Sequence, residues 1–252
     1  MSAARRLIVN ADDLGRTRGI NAGIARAHAE GIVTSATLMV AYAAAAEVPA
    51  LAAAHPRLGI GLHVALTGGP PVLRPEQLPS LVAARGLLPA RPEGLAGADP
   101  AEVAAEARAQ LERFRALLGR LPTHLDSHHH SHRLPAVLDV MVGLAREHGL
   151  PVRAASPEVG ERLRREGLRT TAAFVEDFFG DEATQATLER VLAGLPAGTS
   201  ELMCHPALVD EELRAGSSYA EPRLQELAVL TSAAARQALR EAGVELAHFG
   251  QL

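Results

Sequence analysis

Short runs of apolar and β-branched residues alternate along this chain with longer segments rich in Ala, Leu, Arg and Glu. The apolar residues of the longer segments repeat at helical spacing, whereas the short runs are typical of buried strands. The short runs predict eight strands: Leu7–Asn10, Thr34–Val40, Leu58–Leu66, Thr123–Ser127, Val152–Ala155, Leu168–Phe174, Glu201–His205 and Val244–Phe249. The longer segments predict seven helices: Gly19–Glu30, Ala44–His55, Pro100–Leu118, Leu134–His148, Glu158–Glu166, Glu182–Leu195 and Pro222–Ala242.

Strand and helix alternate strictly, which predicts parallel strand pairing with right-handed crossovers. Eight strands in this order favour a barrel over an open, doubly wound sheet. We therefore expect an α/β fold, a single-domain (β/α) barrel of the TIM type, regular or distorted, over residues 1–252. Residues 68–100 interrupt the alternation because they are rich in Gly and Pro and weakly periodic. An insertion of that length is usually a functional lid or a disordered loop.

Composition and charge narrow the classes of function. The 252 residues carry a formal net charge of −4 and a pI near 6.3, with no basic block. A nucleic-acid partner or an anionic membrane surface is therefore not expected. The longest apolar run, around Ala36–Ala46, is too short to span a bilayer. Near the N-terminus two arginines lead directly into a strand-like run without a signal-peptide pattern, so we predict a cytoplasmic protein.

Two residue types are nearly or completely missing. The sequence contains one cysteine, Cys204, and no lysine. A single cysteine excludes disulfides, cysteine-rich zinc sites and paired-thiol redox chemistry within one chain. The lack of lysine excludes Schiff-base catalysis and a P-loop lysine.

Acids and histidines gather where the predicted strands end. Asp12 and Asp13 follow the first strand, His63 lies in the third, and His205 ends the seventh. The fourth strand ends in the run Asp126-Ser-His-His-His-Ser-His132. The carboxyl ends of all strands of a parallel barrel open on one face, where active sites are built. The pattern therefore predicts that these distant residues converge.

Each feature also has a simpler interpretation. Asp12 and Asp13, followed by Leu-Gly, suit a polar turn, and His63 alone is more typical of a hydrogen-bonded core residue. The run 126–132 favours metal binding, since four imidazoles in five positions are costly to bury without partners. Carboxylates and imidazoles without cysteine are typical of a catalytic metal site that keeps a position open for water. Strand periodicity places Asp126 and His128 on one face, so that His128 could bind the metal while Asp126 orients an imidazole.

The chain resembles the YdjC/ChbG-type carbohydrate deacetylases, a group that includes hopanoid-associated YdjC-like deacetylases. The resemblance is carried by these segments: Ile8-Val-Asn-Ala-Asp-Asp-Leu-Gly15, Gly31-Ile-Val-Thr-Ser-Ala-Thr37, Gly59-Ile-Gly-Leu-His-Val-Ala-Leu-Thr67, Thr123-His-Leu-Asp-Ser-His-His-His-Ser-His132 and Leu202-Met-Cys-His-Pro206. Ser218-Tyr219, Pro222-Arg223 and Glu226-Leu227 extend it towards the C-terminus, so it spans almost the whole chain in order. Residues 68–100 and 157–167 match nothing in the family pattern.

The resemblance implies one divalent metal ion, held by Asp13, His63 and His128. Asp13, rather than Asp12, is assigned as the ligand by analogy with related polysaccharide deacetylases, in which the first acid of the pair is the base. The resemblance implies Mg²⁺, whereas two imidazoles suit Zn²⁺ better, since Mg²⁺ prefers oxygen ligands. It also implies a homodimer and an N-acetylated sugar as the substrate. Because the chain has no Trp and few other aromatic residues, we expect a small sugar in a pocket and not a long oligosaccharide in a groove.

The expected reaction is hydrolysis of the sugar acetamide. Asp12 would be the general base, and His205 would protonate the departing amine. Arg153 would steady Asp12 or the developing oxyanion, unless it is simply a surface arginine. His130 and His132 are expected either to support the metal ligands from behind or to contact the substrate.

Two rival functions stay open on the sequence. A metal-dependent phosphoesterase on the same barrel would need two metal ions and cationic phosphate clamps, for which Arg153 is the obvious candidate. A non-catalytic sugar- or metal-binding protein would need only one acid of the Asp12-Asp13 pair.

Overall fold

A computed structural model describes residues 4–252 of the chain. Its strands are β1 (Arg5–Leu14), β2 (Ser35–Leu38), β3 (Gly59–Val64), β4 (Leu125–Ser127), β5 (Ala173–Val175), β6 (Gly198–Cys204) and β7 (Val244–Leu246). Its helices are α1 (Arg18–Glu30), α2 (Val48–Ala54), α3 (Pro100–Leu118), α4 (Pro135–His148), α5 (Pro157–Arg165), α6 (Gln185–Gly194), α7 (Glu211–Gly216), α8 (Pro222–Leu230) and α9 (Ala233–Ala242). Within residues 4–252, no helix has the length and hydropathy needed to cross a bilayer.

All strand pairs of the sheet are parallel. The order is β4-β3-β2-β1-β6-β5, and β7 pairs with the first residues of β1. Beyond β4 the sheet continues through an isolated bridge between Leu125 and Val152, and the amide of Val152 donates to the carbonyl of Arg169 at 3.0 Å. The sheet is therefore curled, and single hydrogen bonds rather than a strand ladder span the gap towards β5. The predicted α/β barrel class is confirmed in this part-open form.

Several predicted elements differ from the structure. The strand expected at Leu168–Phe174 begins only at Ala173, as β5, and α7 was not predicted. The strand expected at Val152–Ala155 is reduced to the single bridge at Val152. The helix expected at Pro222–Ala242 is two helices, because Ser232 has extended backbone angles and its side chain accepts a hydrogen bond from the amide of Ala235. A serine in that role starts a new helix rather than continuing the old one.

The interior of the barrel changes from apolar to polar along β1. Residues 7, 9 and 11 belong to the hydrophobic core that also contains the buried faces of α1 and α3. Ile8 faces the other way and packs against Phe249 at the amino end of the barrel. By strand alternation Asn10 and Asp12 follow Ile8 on that face, and both are buried. The polar layer therefore lies at the carboxyl end of the sheet.

The insertion at residues 68–100 is packed against the barrel. Its buried apolar side chains are Leu78, Leu81, Leu88 and Leu95. Glu106 of α3, itself fully buried, accepts hydrogen bonds from the amides of Val72 and Leu73 at 2.8 and 3.0 Å. These contacts fix one end of the segment, and its residues 68 and 90–93 reach the mouth of the barrel.

Candidate active site

One cavity of about 840 Å³ opens at the carboxyl ends of the strands. Asp12 and Asp13 of β1, His63 of β3, His128 after β4 and His205 after β6 all line it. A second cavity, of about 890 Å³, lies beside α5 and is lined by none of these five residues. The structure thus brings the predicted groups together at one place, as expected for a parallel barrel.

An irregularity in β1 turns both acids of the pair into this cavity. From Ala11 to Leu14 the pairing advances three residues on β1 for two on β2. Asp13 has φ of +69°, a left-handed conformation that costs a residue with a Cβ atom about 1 kcal/mol. In a regular strand, neighbouring side chains point to opposite faces. The bulge therefore lets Asp12 and Asp13 share one face.

Asp13, His63 and His128 form a compact group of candidate metal ligands. Oδ1 of Asp13 lies 3.3 Å from Nδ1 of His128 and 3.8 Å from Nε2 of His63, and the two imidazole nitrogens are 3.3 Å apart. Ligand atoms about 2.1 Å from one tetrahedral ion would be about 3.4 Å apart. Oδ1 of Asp13 is buried and receives no hydrogen bond within the described residues. An acceptor left free at this position fits a cation at the centre of the group.

Asp126 fixes the orientation of His63. The two residues are register partners on β4 and β3, and Oδ1 of Asp126 lies 2.7 Å from Nδ1 of His63. An Nδ1–H donated to a carboxylate leaves Nε2 directed at the candidate metal position. Burial favours the neutral ring, but Asp126, Asp12 and Asp13 together raise the pKa of His63 to about 9. The site therefore favours a cation at Nε2, either a proton or a metal ion.

Arg153 lies behind Asp12 at the centre of a buried charge network. Its two Nη atoms donate to the two oxygens of Asp12, each at 2.7 Å, and it also contacts Asp126 at 2.8 Å and Glu201 at 2.7 Å. Arg153 is fully buried and does not line the cavity. It is therefore not a surface arginine, and it contacts the base candidate rather than the substrate space.

Arg153 lowers the pKa of two neighbouring acids, but the net pKa shifts of these acids are opposite. Burial alone would raise the pKa of Asp12, but the Coulomb interaction and hydrogen bonds with Arg153 hold it well below the usual range. At Glu201 burial prevails over the same arginine and raises the pKa to about 7. Asp12 is consequently ionised at neutral pH.

The four histidines after β4 have different surroundings. His129 and His130 have φ of 52° and 51°, so the chain turns sharply after His128 and leaves its ring in the metal-ligand group. Strained backbone of this kind is concentrated at functional sites. Nδ1 of His129 lies 3.1 Å from Oγ1 of Thr67, and His130 lines the cavity with its Nε2 3.6 Å from Glu176.

His132 is fully buried and does not line the cavity. Its Nδ1 lies 2.5 Å from Oγ of Ser127, and its Nε2 lies 3.2 Å from the carbonyl oxygen of Arg153. The ring thus donates from Nε2 to the backbone that carries Arg153. From this position His132 can support the buried charge network around Arg153, but it does not face the space for the substrate.

His205 lies across the cavity beside two aromatic rings. The ring centroids of Phe179 and Tyr219 are 5.5 and 5.7 Å from its own. Its Nδ1 is 3.9 Å from Oε1 of Glu226 and has no hydrogen-bond partner in residues 4–252. Burial, followed by the charge of Arg223, lowers the pKa of His205 to about 4. The pKa of His205 therefore lies below that of a free imidazole in this structure.

The sequence assigned no role to Arg223 and Glu226 of α8. Nη2 of Arg223 donates to Oδ2 of Asp13 at 2.5 Å, so Arg223 orients a candidate metal ligand through its second oxygen. Glu226 accepts hydrogen bonds from the amide of His205 and from the hydroxyl of Tyr219, and burial raises its pKa to about 7. Both side chains are almost completely buried. Both residues lie on the same buried face of α8 as Leu227 and Leu230. This helical spacing was the one feature of the sequence that could have indicated their burial.

The fold and site define the chain as an α/β barrel protein with a carboxylate–imidazole centre at its mouth. A family 4 carbohydrate esterase from Streptomyces lividans, solved with acetate, has this fold: the TM-score is 0.54 at 13% identity, over 97% of this chain and 93% of that one. A family model described as YdjC-like protein matches residues 6–241, and the chain belongs to this family. The resemblance found in the sequence is thereby confirmed.

Relatives cover nearly the full chain. A carbohydrate deacetylase from Geobacillus stearothermophilus is 43% identical over 243 residues, 96% of each chain. A chitooligosaccharide deacetylase from Yersinia pestis is 38% identical over 250 residues, 96% of this chain and 97% of that one. A crystal structure from Enterococcus faecalis, described as a proposed cellobiose-phosphate cleavage protein, has a TM-score of 0.93 at 33% identity and covers 99% of both chains.

Replacing Arg153 tests the buried charge network. Arg153→Met would leave Asp12 and Glu201 buried without their counter-charge, which typically costs about 3–5 kcal/mol of unfolding free energy. Their folded-state pKa values would then exceed the unfolded values, so the variant's stability should fall as pH rises from 5 to 8. Urea midpoints at the two pH values measure this loss. Arg108→Met, at an exposed ion pair with Glu147, should change little, and an equal loss for Arg153→Met at both pH values would contradict the prediction.

Proposed function

We propose that this chain is a metal-dependent hydrolase that removes the acetyl group from an N-acetylated sugar by direct attack of water. The observation that carries the proposal is the group of Asp13, His63 and His128 beside a second acid, Asp12, that Arg153 holds ionised. The names of the relatives, carbohydrate deacetylase and chitooligosaccharide deacetylase, support the same reaction. The substrate class is a sugar, oligosaccharide or glycolipid that contains N-acetylglucosamine.

Asp13, His63 and His128 would hold the ion. Mg²⁺ is proposed from the family resemblance, and Zn²⁺ is the alternative because two imidazoles and one carboxylate suit a softer ion. When bound, the ion supplies Lewis acidity to the acetamide carbonyl and to the attacking water. Asp126 and Arg223 act through the ligands, since each holds a ligand side chain in place from behind.

Asp12 would take the proton of the attacking water. It lines the cavity next to the candidate metal ligands, and its low pKa keeps it ionised at neutral pH. Arg153 makes it a positioned acceptor, since the two-pronged contact fixes both oxygens. Arg153 is thus a positioning residue, and its burial removes it as the phosphate clamp that a phosphoesterase would require.

His205 would give a proton to the departing amine. Its resting pKa of about 4 means that the free imidazole is neutral at pH 7. Negative charge that develops on the acetyl oxygen beside it would raise this pKa, because an opposite charge favours the protonated form. His205 would therefore take up a proton from solvent as this charge develops and pass it to the nitrogen as the C–N bond breaks, while Asp12 would release to solvent the proton that it took from the attacking water.

We further propose that residues 1–252 act as one catalytic unit, in which the 68–100 segment forms one wall of the site. His130 lines the same cavity and would contact the substrate. A homodimer and a cytoplasmic location stay predictions.

Metal content should depend on three residues. Alanine at Asp13, His63 or His128 should each lower the bound divalent metal measured by elemental analysis, because each removes one ligand atom. His148→Ala is the matched control and should keep the metal, since His148 lies at the end of α4, away from this cavity. Full retention of metal in the His128 variant would shift the ligand assignment to His130.

The activity test uses Asp12→Asn. Purified protein should release acetate from N,N′-diacetylchitobiose and should not hydrolyse p-nitrophenyl phosphate. Asp12→Asn keeps the shape of the side chain but removes the proton acceptor. The variant should therefore keep its bound metal, while its turnover falls by roughly 10²–10⁴. Loss of metal in Asp12→Asn, with retention in Asp13→Asn, would reverse the two roles. Phosphatase activity without acetate release would support the rival phosphoesterase. Metal binding without either activity would support a non-catalytic binding protein.

His205→Gln tests the acid. The variant should keep its metal and hydrolyse the N-acetyl sugar far more slowly, because an amine must be protonated as it leaves. The hydrolysis of p-nitrophenyl acetate should slow much less, since its leaving group departs without a proton. An equal slowing of both substrates would instead assign His205 to oxyanion stabilisation or substrate positioning.

A further inference from the structure

Phe179 places an aromatic ring at the rim of the active-site cavity. It is 44% exposed, whereas the adjacent Phe178 is fully buried. Single exposed apolar residues are ordinary on protein surfaces, so the exposure alone has no meaning. The other exposed large hydrophobic residues of the described chain do not line this cavity: Leu87, Leu121, Leu208, Leu224 and Leu246. Its position at the site distinguishes Phe179 from them.

Tyr219 supports one face of the Phe179 ring. The two rings are stacked with centroids 4.0 Å apart and planes 9° from parallel. The Tyr219 hydroxyl donates to Oε1 of Glu226 at 2.5 Å and accepts from the amide of Gly180 at 2.7 Å. Because Gly180 directly follows Phe179, these bonds tie both rings together. The outer face of Phe179 is thus a flat apolar surface whose orientation is set before any ligand binds.

The stack adjoins the leaving-group side of the site. His205, the proposed acid, meets both rings edge-on with centroid distances of 5.5 and 5.7 Å. Arg223, which binds Asp13, lies with its guanidinium carbon 5.4 Å from the centre of the Tyr219 ring. The group that His205 would protonate is the sugar amine, so the sugar ring must lie on this side of the cavity.

We propose that Phe179 is the stacking surface for the pyranose ring that carries the acetamide. A gluco-configured pyranose holds its hydroxyl groups in the ring plane and presents C–H groups above and below it. Such a face matches the negative face of an aromatic ring and removes apolar area from water. Contact with Phe179 then places the sugar ring beside His205. It also makes the site prefer amides of sugars over small acetamides that lack a ring. This inference rests on the proposed deacetylase function.

The test compares Phe179→Ala, Phe179→Leu and Phe179→Tyr in the metal-loaded enzyme. Ala and Leu should raise KM for N,N′-diacetylchitobiose roughly tenfold, with a smaller effect on kcat, because ring stacking and area burial are lost. Tyr keeps a flat ring and should restore KM to near the starting value. Leu246→Ala, an equally exposed apolar residue on β7, is the matched control and should behave as the unmodified protein.

A binding measurement separates this inference from the proposed reaction. In the Asp12→Asn background, calorimetry should show that Phe179→Ala weakens binding of N,N′-diacetylchitobiose roughly tenfold. Acetate release with no change in KM or binding for Phe179→Ala would overturn the stacking role alone. If the unmodified protein neither binds nor hydrolyses the sugar, both proposals fall. A change in oligomeric state without a change in KM would assign Phe179 to a subunit contact and also overturn the inference.

Discussion

The active site depends on one buried guanidinium. Three carboxylates contact Arg153 in the interior of the barrel, where unpaired charge is costly. Since the pKa of Glu201 is about 7, Asp12 and Asp126 supply most of the opposing negative charge, and one guanidinium does not neutralise both. An excess of negative charge therefore remains at the mouth. That excess raises the pKa of His63 to about 9 in spite of its burial, and the same field would attract a divalent cation. Arg153 therefore holds Asp12 in the ionised form that its proposed role as a base requires, and it leaves the candidate metal position electrostatically favourable.

Much of this arrangement could be predicted from the sequence. Strict alternation of strand and helix defines a parallel sheet, and the carboxyl-end rule then brings Asp13, His63 and His128 together without any knowledge of their contacts. The family resemblance implied that these three residues are metal ligands. The unexpected part was local: a bulge in β1 and φ of +69° at Asp13 let both acids share a face. Alternation alone would have placed them on opposite sides.

The roles of the charged residues of α8 could not be predicted in this way. Arg223 and Glu226 repeat with Leu227 at the spacing of one helix face, but charged residues are expected on the solvent side of an amphipathic helix. Their burial is decided by how α8 lies across the barrel mouth, which depends on long-range packing. The low pKa of His205 was missed for the same reason, since burial and Arg223 are both tertiary effects.

The two sides of the proposed reaction rest on different kinds of structure. The proposed water-activating side stands on β1, β3 and β4. The ladder hydrogen bonds of the sheet connect β1 to β3 through β2, and they fix Asp12, Asp13 and His63 relative to one another. The sugar side consists of segments outside the sheet, namely the turn at Phe179, the start of α8 and the insertion at 68–100. Loops on a rigid barrel can change without disturbing the fold. The residues proposed for the chemistry are thus held where displacement would be most costly. The residues proposed to contact the sugar lie where the chain has most freedom to vary.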